Sequence, residues 1–487
     1  MLIPKPLKFR LNEGFFTPEN GKTESFIRRE TDDTLPEEGY KLNITADGVQ
    51  IICKTDKGFF NAEMTLKQLT KLNGGKLPYV EIEDAPKFSY RGYMLDSGRY
   101  FFTPEDVFRQ IDYLSLYKIN VLHLHLSEDQ GWRAEIKKYP KLTEVGSRRS
   151  RTLMHLREHK GFYTQEDMKK IVAYAHAHNM TVIPEIDIPG HFSAAIAAYP
   201  ELACFPRKGL KVAENFGVKY EVACIGKEKT IEFIKDVLDE LAEIFTDGYF
   251  HIGGDEVPSQ RWERCPHCRA KREKLGLKSW AEYQAVFMNE IAAHLKKKGK
   301  KTIMWNESHI TGLNDKSIIW QYWQGGLSEK DIIKEVNSGR TIINSSSNPY
   351  YIDLPYSINS LQKVYEFQPA YSEIEDKTQI LGIELPLWTE LIPDQKQAER
   401  MTFPRLIAGA ERAWSDGEDF KDFMSRCTLH EKMLKSEGYK MYSPKRHDPK
   451  GLYKLADRIW WGRRVLYWGA ISNLTNNAKV EKLAKKP

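Results

Sequence analysis

Short apolar runs alternate with longer amphipathic stretches along most of this chain, and from Tyr90 onward the alternation is regular. Runs at residues 92–95, 121–126, 181–186, 249–252, 302–305, 318–322, 341–344 and 379–384 are rich in β-branched and aromatic residues and have strand length. Between most of them, stretches such as 104–118, 164–179, 230–245, 279–298 and 328–338 place apolar residues at helical spacing. Thr103-Pro104-Glu105-Asp106 predicts a helix start, with a hydroxyl cap, proline at the first position and acids in the first turn. Strands and helices in this order predict an α/β fold of the (β/α)8 TIM barrel type. A doubly wound sheet is the alternative; against it, no glycine-rich nucleotide loop follows the first strand.

Before Tyr90 the pattern differs. Residues 40–44 and 49–54 alternate as strands, and 59–72 reads as an amphipathic helix ended by Asn73-Gly74-Gly75. Glu83-Asp84-Ala85-Pro86 marks a junction, because Pro86 cannot continue a ladder. The expected organisation is a small N-terminal α/β domain over 1–86, the barrel over 87–445 and a helical extension over 446–487. In the extension, Trp460, Trp461, Tyr467 and Trp468 are expected to pack on the barrel, ahead of walling an aglycone site or meeting a partner subunit.

The composition narrows the function classes. A chain of 487 residues with 41% hydrophobic content can bury a barrel and an accessory domain. The net charge of +6 is spread out, and the dense basic run at 296–301 closes a predicted helix, so nucleic acid is not an expected partner. No window is apolar enough to span a membrane, and the N-terminus lacks a signal-peptide core; a chain beginning with Met then suggests a cytoplasmic product. Sequons at Asn43, Asn306 and Asn473 matter only in a secreted eukaryotic chain. Cys265-Pro266-His267-Cys268 has metal-ligand spacing, but no second pair lies at zinc-finger distance. It is read as a thiol pair or loop disulfide ahead of a metal site, and no metal or cofactor is assigned. Cys204 and Cys224 bracket a loop and could pair in an oxidising compartment.

Candidate chemistry gathers where the predicted strands end. His251-Ile252-Gly253-Gly254-Asp255-Glu256-Val257 delivers two adjacent carboxylates after a short buried strand. Neighbouring acids on an extended backbone point apart, so one can stay charged while the other is held protonated. Such a pair is ordinarily a solvated surface feature; the glycines and the apolar strand before it argue otherwise. Other strand ends carry Asp96 and Arg99, Glu128 and Asp129, Asp187 and His191, Trp305 and Glu307, Trp323, Tyr351 and Asp353, and Trp388 and Glu390. In a (β/α)8 barrel these converge on one mouth. Carboxylates bind sugar hydroxyls and tryptophan stacks on a pyranose face, so the set reads as a carbohydrate pocket, with core packing the competing account of each tryptophan.

These motifs resemble the family 20 glycoside hydrolases, the β-N-acetylhexosaminidases, over about residues 40 to 440. The likeness is carried by Asp96-Ser97-Gly98-Arg99, the segment from Pro184 to His191, Gly253-Gly254-Asp255-Glu256, Trp305-Asn306-Glu307, Tyr351-Ile352-Asp353 and Trp388-Thr389-Glu390, in family order. The resemblance implies exo removal of terminal β-linked N-acetylglucosamine or N-acetylgalactosamine with retention, the substrate's own acetamido oxygen attacking to form an oxazoline-type intermediate. It implies Glu256 as general acid and base with a raised pKa, and Asp255 as the charged group orienting the acetamido N–H. Tyr351 would donate to the acetamido oxygen, with Trp305, Trp323 and Trp388 as walls. Arg99 would clamp the 3- and 4-hydroxyls, Glu390 and Asp353 would accept from the remaining hydroxyls, and His191 would orient the acid or serve structure alone. The N-terminal segment is shorter than the family's usual accessory domain. Two other readings are a related enzyme with an altered donor, such as a terminal disaccharide or sulfated sugar, and a sugar-binding barrel without catalysis. The second predicts loss of the acid, whereas Asp255, Glu256 and Tyr351 are all present.

Overall fold

The computed structural model describes residues 1–17, 26–152, 157–307, 312–323, 329–417 and 419–463. Tyr467, Trp468 and the Asn473 sequon lie outside the described residues. Eight parallel strands close a barrel: β1 Tyr90–Asp96, β2 Val121–His125, β3 Thr181–Glu185, β4 Tyr249–His251, β5 Lys301–Trp305, β6 Ile319–Tyr322, β7 Ile342–Asn344 and β8 Ile380–Leu387, with β8 pairing β1. The predicted helices stand between them as α1 Pro104–Leu116, α2 Gln165–Ala177, α3 Glu228–Ile244, α4 Trp280–Lys297 and α5 Glu329–Asn337. Thr103 caps α1 through a reciprocal box with Asp106, and Thr164 with Asp167 and Ser279 with Glu282 do the same for α2 and α4. Strand β8 runs three residues beyond its predicted end at 384, because Pro386 sits at a position where the ladder to β1 continues.

The barrel interior is layered, because alternate residues on each strand face inward. Tyr90, Val121, Ile183, Ile303, Ile319 and Ile343 form an apolar layer. Two residues further along most of these strands the layer is polar. Glu185 meets His123 Nε2 at 3.1 Å, His251 Nδ1 at 2.9 Å and also His125, and Glu384 meets His123 Nδ1 at 3.0 Å. Above it Met94, Trp305, Tyr351 and Trp388 form an aromatic layer toward the strand ends. The Trp305 indole N–H donates to Glu185 Oε1 at 2.9 Å, so the polar layer holds the ring that floors the mouth.

This network carries a stability prediction. Burial would push the His123 imidazole down, but Glu384 and Glu185 carry it up to about 9. Burial would push Glu185 up, but His125 and His251 hold it well below its ordinary value. A raised histidine stabilises the fold fully below its unfolded value of 6.5 and loses that contribution as pH rises through about 9. A depressed carboxylate stabilises above 4.5 and loses that contribution in acid. Glu185→Ala strands the facing histidines and is expected to cost about 3–5 kcal/mol in denaturant unfolding near neutral pH. A loss below 1 kcal/mol, on the order of a surface pair, would mean water replaces the carboxylate.

The N-terminal domain is a sheet of five strands, two of which the alternation reveals (Tyr40–Thr45 and Gly48–Cys53); Lys8–Phe16, Ile27–Thr31 and Leu77–Asp84 complete it. Lys8–Phe16 and Ile27–Thr31 are edge strands whose side chains are mostly exposed, Phe9, Leu11 and Phe15 included, so neither has a well-buried face. The helix Asp56–Leu72 covers the other face, capped by Thr55. The domain is fastened to the barrel by buried polar contacts. Asp84 accepts from Lys118 Nζ at 3.0 Å and from the Trp414 indole at 2.8 Å, and Arg91 of β1 forks onto Glu38 at 2.7 and 3.0 Å. At the other end of the chain, residues 451–463 are helical, tied down by Asp457, which accepts from the Ser357 N–H at 3.0 Å. Core packing fails for Trp460: it is 46% exposed, on a helix whose Leu452 is 81% exposed. Among the described residues no helix is long and apolar enough to cross a membrane.

Candidate active site

The two carboxylates after β4 are aimed by a backbone that glycine permits. Gly253 has φ +63°, and a Cβ there would stand 1.8 Å from Asp187 Oδ1. Asp187, after β3, accepts the Gly254 N–H at 3.0 Å and so pins the turn. Glu256 then adopts φ +47°, a left-handed conformation that costs a non-glycine residue about 1 kcal/mol. Its N–H donates to Glu307 Oε2 at 2.5 Å, which holds it there. The neighbours end in different surroundings, as adjacent acids can: the Asp255 side chain is 12% exposed and that of Glu256 is 41% exposed.

The proton distribution differs from the sequence expectation. Glu256 is expected to be held protonated, yet in the free protein its carboxyl lies below the ordinary value, chiefly through the His191 imidazole. Asp255, expected to stay charged, is pushed well above its ordinary value by burial and by Asp187. His191 holds Glu256 down and works against the rise of Asp255. Its Nδ1 stands 2.8 Å from Glu128 Oε1 and 3.6 Å from Asp129 Oδ2, and its Nε2 is 3.6 Å from both Asp255 Oδ2 and Glu256 Oε2. Burial would lower this histidine, but Glu128 and Asp129 hold it well above its ordinary value, so it is a cation between the two acids. His191 therefore sits buried beneath the carboxylates and bridges them. Glu307 is driven up to about 8 by burial and by Asp255. With Asp187 also raised by burial, several acids here share fewer charges than their number.

Arg99 closes one side. Its guanidinium reaches Asp96 Oδ2 at 3.0 Å, Glu128 Oε1 at 2.7 Å and Glu390 Oε1 at 3.4 Å, and lies 4.8 Å over the Trp388 ring. Through Trp388 it meets the aromatics. Tyr351 stacks on Trp323 at 6.1 Å and 12°, and Trp388 lies 5.7 Å from Trp305 and 6.1 Å from Tyr351. Trp305 is only 1% exposed, so it is as much core as wall. Asp353 Oδ1 and Asp255 Oδ1 are buried and have no hydrogen-bond partner among the described residues. Buried acceptors of this kind call for a donor from outside the protein. Asp353 is raised by burial and by Glu390, which burial also raises.

The structure thus brings Asp255, Glu256, His191, Arg99, Trp305, Trp323, Tyr351, Asp353, Trp388 and Glu390 to one end of the barrel. It adds four acids not assigned a role from sequence: Glu128, Asp129, Asp187 and Glu307. Their signal was position, since each follows a barrel strand, but a carboxylate that orients other groups has no motif of its own. The cation these acids gather around is supplied by His191 and Arg99. The cysteines are elsewhere. All six are free thiols, and Cys204 and Cys224 lie together with Cys265 and Cys268 in one cluster. The isolated bridge between Ala203 and Ala223 draws the first two together, a long-range contact that spacing does not encode.

Known proteins resemble the chain at both levels. Residues 88–417 match the catalytic domain of glycosyl hydrolase family 20, and residues 2–85 match domain 2 of that family. A beta-hexosaminidase of Porphyromonas gingivalis is 40% identical over 86% of this chain, which spans 56% of that protein's length. A beta-hexosaminidase of Akkermansia muciniphila is 33% identical over 92% of this chain and 93% of its own. The solved exo β-N-acetylglucosaminidase of Vibrio harveyi, in complex with N-acetylglucosamine, superposes with a TM-score of 0.82 at 30% identity, covering 91% of this chain and 78% of that one.

Proposed function

The chain belongs to glycosyl hydrolase family 20, and from that premise we propose that it is an exo-acting, retaining β-N-acetylhexosaminidase using substrate-assisted catalysis. One observation carries the reading most directly: the buried, unpartnered Asp255 Oδ1 next to Glu256, with the aromatics Tyr351, Trp323 and Trp388 gathered at the same end of the barrel. A 2-acetamido group has the N–H that such an oxygen accepts and a methyl that such a wall covers. Asp255 orients the amide, the carbonyl oxygen attacks the anomeric carbon, and Tyr351 donates to that oxygen. Glu256 protonates the leaving oxygen and later takes a proton from the water that opens the oxazoline-type ring. Arg99, closed in by Asp96, Glu128 and Glu390, clamps the terminal hydroxyls, which supports exo action. The bound N-acetylglucosamine of the Vibrio harveyi enzyme favours the same sugar here.

The depressed Glu256 belongs to the free protein. A bound sugar covers the half-exposed carboxyl and so raises its pKa by desolvation. The deciding experiment is hydrolysis of a panel of nitrophenyl glycosides. The N-acetyl-β-glucosaminide and N-acetyl-β-galactosaminide should be cleaved and the plain β-glucoside scarcely at all. Equal rates on β-glucoside and β-N-acetylglucosaminide would sink the substrate-assisted mechanism, and selective release of a disaccharide or sulfated sugar would favour the altered-donor reading.

His191 supplies a pH prediction. Its positive charge lowers Glu256 and opposes the rise of Asp255. Removing it by His191→Asn should raise both, so both limbs of the kcat/KM profile should move to higher pH. A profile shifted toward acid would show that His191 does not set these charges.

A further inference from the structure

Four of the six cysteines meet at one point, on the outer side of the segments that follow β3 and β4. Cys204 Sγ lies 3.8 Å from Cys268 Sγ, and Cys224 Sγ lies 3.6 Å from both Cys265 Sγ and Cys268 Sγ. All four sulfurs lie within 4.8 Å of one another. Three of the cysteines are fully buried and Cys204 is 7% exposed. Four buried thiols could be ordinary small core residues. Their mutual spacing argues for more. Four thiolates around a tetrahedral zinc at about 2.3 Å stand about 3.8 Å apart along each edge, close to the distances here.

We propose that Cys204, Cys224, Cys265 and Cys268 form a structural zinc site of the four-thiolate type. Two further features fit. Cys265 is the N-cap residue and Cys268 lies in the first turn of the helix Pro266–Lys274, where free N–H groups and the helix dipole favour thiolates. Gly226 presses on the same turn: a Cβ there would stand 2.4 Å from the Cys268 nitrogen, so glycine lets the segment after Cys224 close over the CxxC turn. Zinc entry displaces thiol protons without redox change and leaves a site of net charge −2. One lysine stands by to offset it: Lys227 donates to the carbonyls of Ala203 (2.6 Å) and Glu201 (3.1 Å), the first of them next to Cys204. Closed tetrahedral thiolate sites are structural, because no position is left for substrate.

The site would tie together parts that serve the barrel mouth. Cys204 and Cys224 are the two ends of the loop at 205–223, which reaches Asp129 through the Ala213 N–H at 3.1 Å. The Ala223 N–H donates to Pro189, two residues before His191, at 2.9 Å. Cys265 joins the two helices that follow Asp255 and Glu256, Gln260–Arg264 and Pro266–Lys274, and Cys268 lies in the second. One ion would hold the loops behind both carboxylates and their histidine, so its loss should act through stability and loop order.

The test needs no assumption about the sugar chemistry. The full chain, purified under reducing conditions without chelator and dialysed against metal-free buffer, should carry one zinc per chain by mass spectrometric metal analysis. A mercurial reagent should release that zinc into a chromogenic chelator. Reduced, demetallated protein given cobalt should develop thiolate-to-cobalt charge transfer and the d–d bands of tetrahedral cobalt. The Cys265→Ser/Cys268→Ser protein should lose the zinc, melt at lower temperature and be cut faster by protease within 205–223, whereas Cys53→Ser should keep its zinc. Wild-type protein that holds no zinc and gives no tetrahedral cobalt spectrum would overturn the proposal, as would two disulfides among these four cysteines in mass spectra. Iron in place of zinc would overturn the choice of metal.

Discussion

Glu256→Gln is expected to lower kcat/KM on an alkyl β-N-acetylglucosaminide by about 10²–10⁴-fold, the range for a positioned general acid. An amide keeps the side chain's shape but cannot protonate a poor leaving group. The backbone that carries it should survive, because the left-handed turn is held by the Glu256 N–H on Glu307 and by Asp187 on Gly254, and neither contact uses the replaced carboxyl. An aryl glycoside with an acidic phenol leaves without much protonation, so the first step should fall far less on that substrate. Opening of the intermediate would then limit turnover, because the same residue acts as base. Parallel rates with alkyl and activated aryl leaving groups tell the roles apart. A variant that cleaved the alkyl glycoside at the wild-type rate would remove Glu256 from acid catalysis, and equal losses on both substrates would point to a role in binding.

The contrast between these acids shows what a sequence can and cannot disclose. The barrel was readable because its period is local: β-branched runs alternate with capped amphipathic helices, and Thr103, Thr164 and Ser279 mark starts that the structure keeps. The mouth was readable because a parallel barrel puts all strand ends on one face. The two edge strands of the N-terminal sheet were not, because Ile27–Thr31 carries a single apolar residue and the alternating Lys8–Leu11 run leaves its apolar side chains exposed. Nor was the charge state of Asp255 and Glu256, which depends on where His191 lands after a left-handed turn of its own at φ +46°. The polar layer of His123, Glu185, His251 and Glu384 was hidden for a related reason. Its members look like isolated polar interruptions of buried strands until the closed barrel turns them toward each other. That Cys204 and Cys224 meet Cys265 and Cys268 was hidden as well, because the second two come from another segment.

Asp255→Asn is expected to cost about 2–4 kcal/mol in the barrier, the scale for removing an oriented group that stabilises developing charge. Asp255 is buried, and its Oδ1 has no partner among the described residues, so it has an acceptor to offer an N–H. Asparagine can present a carbonyl to the acetamido N–H in one orientation, but it has no charge to offset the positive character of the cyclised sugar. The loss should therefore appear even with leaving groups that need no acid, where Glu256→Gln is mild, and that difference separates the two carboxylates. A stable thiazoline, which mimics the cyclised intermediate, should bind the wild type far more tightly than N-acetylglucosamine does, because the site is complementary to the later structure. In Asp255→Asn the thiazoline's affinity should fall in step with turnover while product affinity changes less. Since burial and Asp187 raise the Asp255 carboxyl in the free protein, tight thiazoline binding in the wild type should also weaken as pH falls through that raised value. The neutral acid offers no charge to a cationic ring. If thiazoline binding were unchanged in the variant and flat with pH, Asp255 would have no part in guiding the acetamido group, and the attack would have to be oriented by Tyr351 and the tryptophan wall alone.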